Sequence, residues 1–203
     1  MSLSGFRIPD VSSDIPYPEF DDVFATALLE ANGVALDDDA LTAALDSPIE
    51  VLRAAAARTL GARGVRSAIG RLETAARAGD GTDRAEAAYA LARMGETEAG
   101  ISALRACLEL PADWSIAAIQ AAGMLARLGD PSGVPVVLRA LKAKNSILRT
   151  VAVKQLFWLA SFDGAEVEGR RVDAVGLLEE IARARDEELA HLARMELRDL
   201  RPG

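Results

Sequence analysis

From residue 20 onward, apolar and polar positions alternate with a helical period, and one apolar phrase recurs in register. It reads Ala56-Ala57-x-x-Leu60-x-x-x-Gly64, Ala87-Ala88-x-x-Leu91-x-x-x-Gly95, Ala121-Ala122-x-x-Leu125-x-x-x-Gly129 and Ala152-Val153-x-x-Leu156-x-x-x-Ala160, at offsets of 31, 34 and 31 residues. A period of that size marks stacked helical units, each unable to bury its apolar face alone, rather than one globular core.

The spacing of Phe20, Val23, Phe24, Ala27 and Leu28 predicts a helix over 20–31, closed by Asn32-Gly33, and a shorter helix over 38–45. Ser47-Pro48-Ile49-Glu50 reads as a capping box with proline at the first helical position, opening a helix over 49–62. A helix over 66–78 completes that pair; pairs then recur as 83–94 with 97–109, 114–128 with 132–143, and 146–160 with 173–184, and 187–199 begins a last one. Gly79-Asp80-Gly81, Pro111-Ala112-Asp113 and Lys144-Asn145 supply turns, and no strand pattern appears. The expectation is an all-α antiparallel stack of ten or eleven helices.

Residues 161–172 lengthen one turn by roughly ten residues. Such an insertion either faces a partner or is a tolerated surface loop, and both readings stand at this point. Residues 1–18, with Pro9, Pro16 and Pro18 among Ser and Asp, read as an extended or disordered acidic leader. The remainder, 19–203, reads as one repeat domain: an N-terminal cap at 19–48, core repeats at 49–160, the insertion, and a C-terminal cap at 173–203.

The run Leu128-Gly129-Asp130-Pro131-Ser132-Gly133-Val134-Pro135-Val136-Val137-Leu138-Arg139-Ala140-Leu141 resembles the HEAT-like repeats named after phycobilisome (PBS) lyases. The arginine of that pattern falls on Arg53, Arg84 and Arg149; the third repeat departs from it with Ala118, and the Gly-Asp step is complete only at Gly129-Asp130. The resemblance covers 49–160 strongly and 20–48 and 173–199 weakly. It implies a right-handed α-α superhelix, a HEAT/ARM-like solenoid of about five antiparallel helix pairs. It further implies that the three arginines tie neighbouring repeats together through acidic turn residues, and that the helices carrying the Ala-Ala motif line a concave surface.

On those helices, about 100° per residue places positions 54, 58 and 61 opposite the core stripe. The aligned ladders are Ala54, Ala85, Ile119, Thr150; Arg58, Tyr89, Gly123, Lys154; and Gly61, Ala92, Ala126, Phe157. One flank adds Arg93, Arg127 and Trp158. Small residues there would let a partner approach closely. Arg58, Arg93, Arg127 and Lys154 would ring them with positive charge, and Tyr89 and Trp158 would serve as aromatic anchors. The expected partner is a protein or peptide of acidic or mixed charge. The opposing reading is that these arginines are ordinary solvated helix surface. Phe157 and Trp158 are also expected to pack beneath the 161–172 insertion.

Composition sharpens this. Half the residues are apolar but only 4% are aromatic, a helix-forming alphabet. The net charge of −8 divides into −9 over residues 1–48, +5 over 49–160 and −4 over 161–203. Asp-rich residues 1–22 therefore have a basic body to fold back upon, where they would compete with an acidic partner. No apolar run is long enough to span a bilayer, the start lacks the plan of a signal peptide, and the single Cys107 cannot form an internal disulfide, so a cytoplasmic protein without membrane contact is expected.

Enzymatic chemistry has little to rest on, and no catalytic, cofactor-binding or metal-binding residues are assigned. His191 is the only histidine, Cys107 follows an apolar helical phase that predicts burial, and Asp37-Asp38-Asp39 reads as a helix N-cap rather than a metal site. By resemblance two alternatives remain: a nucleic-acid-binding HEAT-like protein, disfavoured by the modest basic charge, and a bilin-lyase-like subunit holding a chromophore or its acceptor protein.

Overall fold

The computed structural model describes residues 6–9, 20–78, 81–110 and 115–200. Most of the 1–18 leader and two of the expected turns, Gly79-Asp80-Gly81 except for Gly81 and Pro111-Ala112-Asp113, lie outside the described residues. Among the described residues eleven helices follow one another: α1 (Asp22–Ala31), α2 (Asp38–Ala44), α3 (Glu50–Arg63), α4 (Ile69–Ala78), α5 (Thr82–Arg93), α6 (Thr97–Cys107), α7 (Ser115–Arg127), α8 (Val134–Ala140), α9 (Ser146–Leu159), α10 (Ala174–Ala182) and α11 (Glu187–Leu200). The fold is all-α and built of successive helix pairs, as the period requires. The expected helices at 66–78 and 132–143 open instead with 3-10 turns, Arg66–Ala68 and Pro131–Gly133.

The last residue of the repeated phrase has a conformational reason. Gly64, Gly95 and Gly129 have φ of 65°, 98° and 81°, the left-handed geometry that ends a helix and that glycine adopts without penalty. The fourth copy has Ala160, which stays right-handed at φ −58°, and α9 runs on into a 3-10 turn, Ala160–Phe162. The departure from the pattern and the departure from the fold fall at one residue.

The chain forms two compact units, residues 1–103 and 104–203, with the division inside α6. In the first, α3 packs against α1, α2 and α5. Ala54, Ala55, Ala56 and Ala57 are all buried, as are Ala85, Ala87, Ala88, Ala90 and Ala92 on α5, so both helices are enclosed on every side. Alanine permits the approach: a Cβ placed on Gly61 would lie 2.6 Å from Cα and Cβ of Ala90. The predicted capping box does not close. Ser47 Oγ accepts from the Ile49 amide at 3.2 Å, but Glu50 reaches forward one repeat, its Oε1 accepting from the Thr82 amide at 2.7 Å. Glu50 therefore caps α5 rather than its own helix. Arg53 likewise donates to Asp83 at 2.6 Å, the tie between repeats that the resemblance implies. Arg84 also reaches the neighbouring repeat, but through a backbone group rather than an acid: it donates to the Ala76 carbonyl of α4 at 3.1 Å. Asp37 caps α2 as expected, accepting from the Ala40 amide at 2.9 Å. At the other end of α1, Asn32 exchanges side-chain hydrogen bonds with both backbone groups of Arg7, at 2.9 and 2.7 Å.

The second unit is built around Ile119, Val137, Leu156, Leu159, Leu178 and Leu192. Asp130 accepts from the Ser132 amide at 2.9 Å and pairs with Arg105 at 2.7 Å. Those partners outweigh burial and hold its carboxyl below the ordinary carboxylate range. Arg149 donates to the carbonyls of Ala143 and Lys144 at 2.9 and 3.0 Å and reaches Asp186, ahead of α11, at 3.5 Å.

The 161–172 insertion corrects the strandless expectation. It forms a hairpin of β1 (Glu166–Val167) and β2 (Arg170–Arg171), paired Glu166 to Arg171 and Val167 to Arg170. Its two-residue turn, Glu168-Gly169, has positive φ at both positions (50° and 72°), the geometry that matches strand twist. Val172 is buried in the core and Val167 packs against it. Asp163 ties the insertion to α10 by accepting from the amides of Ala174 and Val175 at 2.6 and 3.1 Å. It is neither slack nor wholly exposed.

Candidate functional site

The residues proposed to meet a partner fall in both units. In the first unit, Arg58 lies midway along α3, where its neighbours on the helix are alanines. Its side chain is 4% exposed, and its Nη2 donates to Glu86 of α5 at 2.8 Å; Glu86 itself is 1% exposed. A guanidinium in such surroundings needs a counter-charge, because desolvation of an unpaired ion costs several kcal/mol, of order ~5. Burial opposes the charge on Arg58, and Glu86, with Asp22, outweighs it, holding the guanidinium above its ordinary pKa. Phe20 and Tyr89 both lie against this cation, their ring centroids 5.5 and 5.7 Å from its central carbon.

Arg93, one turn beyond Tyr89 on α5, is 27% exposed and grips Asp22 with both terminal nitrogens, at 2.8 and 3.0 Å. Arg58 reaches the same carboxylate at 3.5 Å. The hydrogen bonds from Arg93 hold the Asp22 carboxyl below its usual range, against the opposing effect of its partial burial. Arg93 also lies over the Tyr89 ring, at 5.8 Å. The first turn of α1 thus delivers a carboxylate, with Phe20 beside it, onto two of the arginines expected to await a partner.

In the second unit Arg127, at the end of α7, is exposed and stacks on Trp158 of α9, 4.4 Å from the ring centroid. Trp158 is half-buried against the core and meets Phe157 edge to face at 4.8 Å. Lys154, one turn earlier on α9, is half-buried. Phe157 and Trp158 are expected to pack beneath the insertion; Trp158 packs on the same core as Phe162 and Val167 of the insertion, while Phe157 meets the Trp158 ring.

The ladders need correction. Ala54, Ala85, Ile119 and Thr150 are all buried, as are Arg58, Tyr89, Gly123, Gly61, Ala92 and Ala126. Only Lys154, Phe157 and the flank Arg93, Arg127 and Trp158 reach solvent. Periodicity on a single helix finds the direction away from one core stripe; in a stack that direction is filled by the next helix. The small residues serve the same end: Gly61 lies under Ala90, and Gly123 leaves room for the Gln155 amide of α9. They admit neighbouring helices rather than a partner.

Sequence reasoning missed Glu86 and Phe20; Asp22 closes the Asp-rich 1–22 stretch expected to fold back on the basic body, and its pairing with Arg93 and Arg58 is a contact of that kind. The signal for Glu86 was available: it is an acid amid alanines on α5, one turn ahead of Tyr89, which aligns with Arg58. Cys107 is buried, as its phase predicts, and His191 is exposed. Among the described residues no helix is long and apolar enough to cross a membrane, and no three His, Cys, Asp or Glu side chains form a metal-holding group.

Residues 39–121 are similar to HEAT repeats, whose family model they match. No curated protein matches the chain. Among solved structures, a crystal structure of an engineered protein from the Northeast Structural Genomics Consortium is similar at 22% identity and a TM-score of 0.45, covering 88% of this chain and 83% of the other. A similarity at that level carries no argument about function.

Proposed function

We propose that this chain is a non-enzymatic protein-interaction module that recognises carboxylate-bearing protein segments through arginines backed by aromatic rings. HEAT repeats generally mediate protein–protein contacts, and the match over residues 39–121 supports that reading. One observation carries the finer reading. Arg93 and Arg127 occupy the same repeat position, 34 residues apart, and each lies over an aromatic ring. Arg93 already holds a carboxylate, that of Asp22, by a two-pronged grip. Arg127, an exposed residue, is likewise backed by a ring, that of Trp158. A planar fork fixed on a ring is pre-ordered, so little rotamer entropy is lost when a carboxylate binds. Lys154 adds positive charge one turn away on the same helix as Trp158. Arg58 and Tyr89 drop out as direct contacts, because both are buried.

The test is affinity capture by wild type, Arg127→Glu and Trp158→Ala at low and moderate salt, followed by titration of whatever protein is retained. Retention by wild type alone, weakened by salt, is the expected outcome. Equal retention by all three forms would remove Arg127 and Trp158 from the interface. Retained nucleic acid, or a tetrapyrrole absorbance band in the purified protein, would replace the reading with one of the alternatives by resemblance.

A further inference from the structure

The α8–α9 repeat differs in charge from the rest of this acidic chain. Residues 131–162 contain no Asp or Glu but five basic residues, Arg139, Lys142, Lys144, Arg149 and Lys154, and these include all three lysines of the sequence. Arg149 is used internally, pinning the carbonyls of Ala143 and Lys144 and pairing with Asp186. Arg139, Lys142 and Lys144 are exposed, and none is held in an ion pair among the described residues.

Arg139 lines a cavity, and Lys142 and Lys144 are the chain neighbours of another of its lining residues, Ala143, on a loop that Arg149 holds in shape. The cavity measures about 260 Å³ and is lined by Leu110, Ile119, Val136, Leu148, Ala143 and Arg139, among others. Glu109 lies between the lining residues Leu108 and Leu110. Ile147, next to the lining residue Leu148, is 54% exposed at the start of α9, where Asn145 caps the helix by accepting from the Ile147 amide at 2.8 Å.

We infer that this cavity is a docking site for an acidic protein segment that inserts one apolar side chain, with Arg139, Lys142 and Lys144 receiving the flanking carboxylates. The volume lies below the ~300–1,000 Å³ of typical small-molecule sites, so it suits a single leucine or aromatic side chain. A concave apolar floor does nothing for a phosphate backbone. A membrane surface would be met by projecting apolar groups rather than a cavity. An acidic segment with an apolar anchor uses both features: the cavity desolvates the anchor, and the rim supplies complementary charge and faster encounter. The inference rests on the interaction-module reading only in taking a protein segment as the occupant; its residues are different.

The test uses fluorescein-labelled 12-residue glutamate-rich peptides with a central Leu, Phe or Trp, and an otherwise identical peptide with Ala at that position. Anisotropy titrations compare the full chain with Lys142→Glu/Lys144→Glu, with Ala143→Trp, which fills the cavity from its rim, and with Arg127→Glu; circular dichroism verifies folding of each. The expected result is binding of at least one anchored peptide about tenfold tighter than the Ala peptide, weakened about tenfold by each of the first two variants and by added salt. Arg127→Glu should leave it unchanged. Equal affinity for the Ala peptide, indifference to Ala143→Trp, or no binding of any anchored peptide overturns the inference. Loss with Arg127→Glu alone also overturns it, while favouring the proposed function. Tighter binding to vesicles containing 30% phosphatidylserine, or to a 20-base-pair duplex, assigns the rim to a different occupant and overturns it too.

Discussion

Arg58 and Glu86 show how a charge comes to lie inside a stack built largely of alanine. Neither residue's helix has an opposite charge at its own level, so each relies on the neighbouring repeat, and the pair holds only while α3 and α5 stay in register. Replacing one partner leaves the other buried and uncompensated, which costs about 3–5 kcal/mol. Glu86→Ala should lower unfolding free energy by about that amount in urea titration, whereas Arg58→Leu with Glu86→Leu should recover most of it. A double variant as unstable as the single one would show that the cost lies in packing rather than charge. Asp22 gives a milder, pH-dependent counterpart. Its folded pKa lies below the ordinary carboxylate value, so its contribution is present above about pH 3.9 and is lost as pH falls through the folded value. Asp22→Asn should therefore cost about 1 kcal/mol or less at pH 7, because the pair is partly exposed, and the gap from wild type should close in strong acid. A gap independent of pH would mean that Arg93 does not depend on the Asp22 charge. Both residues were hard to read from the sequence because their roles depend on partners 28 to 71 residues away.

At the level of elements, helix existence and order were legible throughout, and most helix ends fall close to the predicted ones. The repeated Ala-Ala-x-x-Leu phrase and its terminal glycine carried that information, since both express local geometry. The faces of α3 and α5 were not legible. A period of 3.6 assigns a helix one buried and one exposed side, but four consecutive alanines, Ala54 to Ala57, are compatible with burial on every side. That run was the available clue. The same crowding makes a prediction at Gly61. Alanine normally favours a helix interior over glycine by about 1 kcal/mol. Here its Cβ would meet the backbone of Ala90, so Gly61→Ala should destabilise instead, by about 1–3 kcal/mol as α3 and α5 are forced apart. A raised melting temperature for this variant would show that the contact relaxes without cost. The hairpin at 166–171 escaped prediction for another reason: two-residue strands are too short to show alternation, and only the Glu168-Gly169 turn gave a hint.

For the whole molecule, the two compact units are the relevant scale, because a stack of repeats is stabilised mainly by nearest neighbours and need not unfold as one. The buried Arg58–Glu86 pair belongs to the first unit, and the Leu156, Leu178 and Leu192 core to the second. A defect in the first should therefore be felt there before it is felt in the second. Hydrogen exchange followed by mass spectrometry on Glu86→Ala should show faster exchange in peptides from α1, α3 and α5, with peptides from α9, α10 and α11 protected as in wild type. The contrast is informative because exchange reports the free energy of each opening separately. If α9 to α11 accelerate by the same factor as α3 and α5, the chain opens as one cooperative body, and a partner held by Arg127 or by the α8–α9 cavity would feel every change in the first unit. If they do not, the second unit can present those surfaces at full stability while the first breathes, and binding there should survive substitutions that loosen α1 to α5.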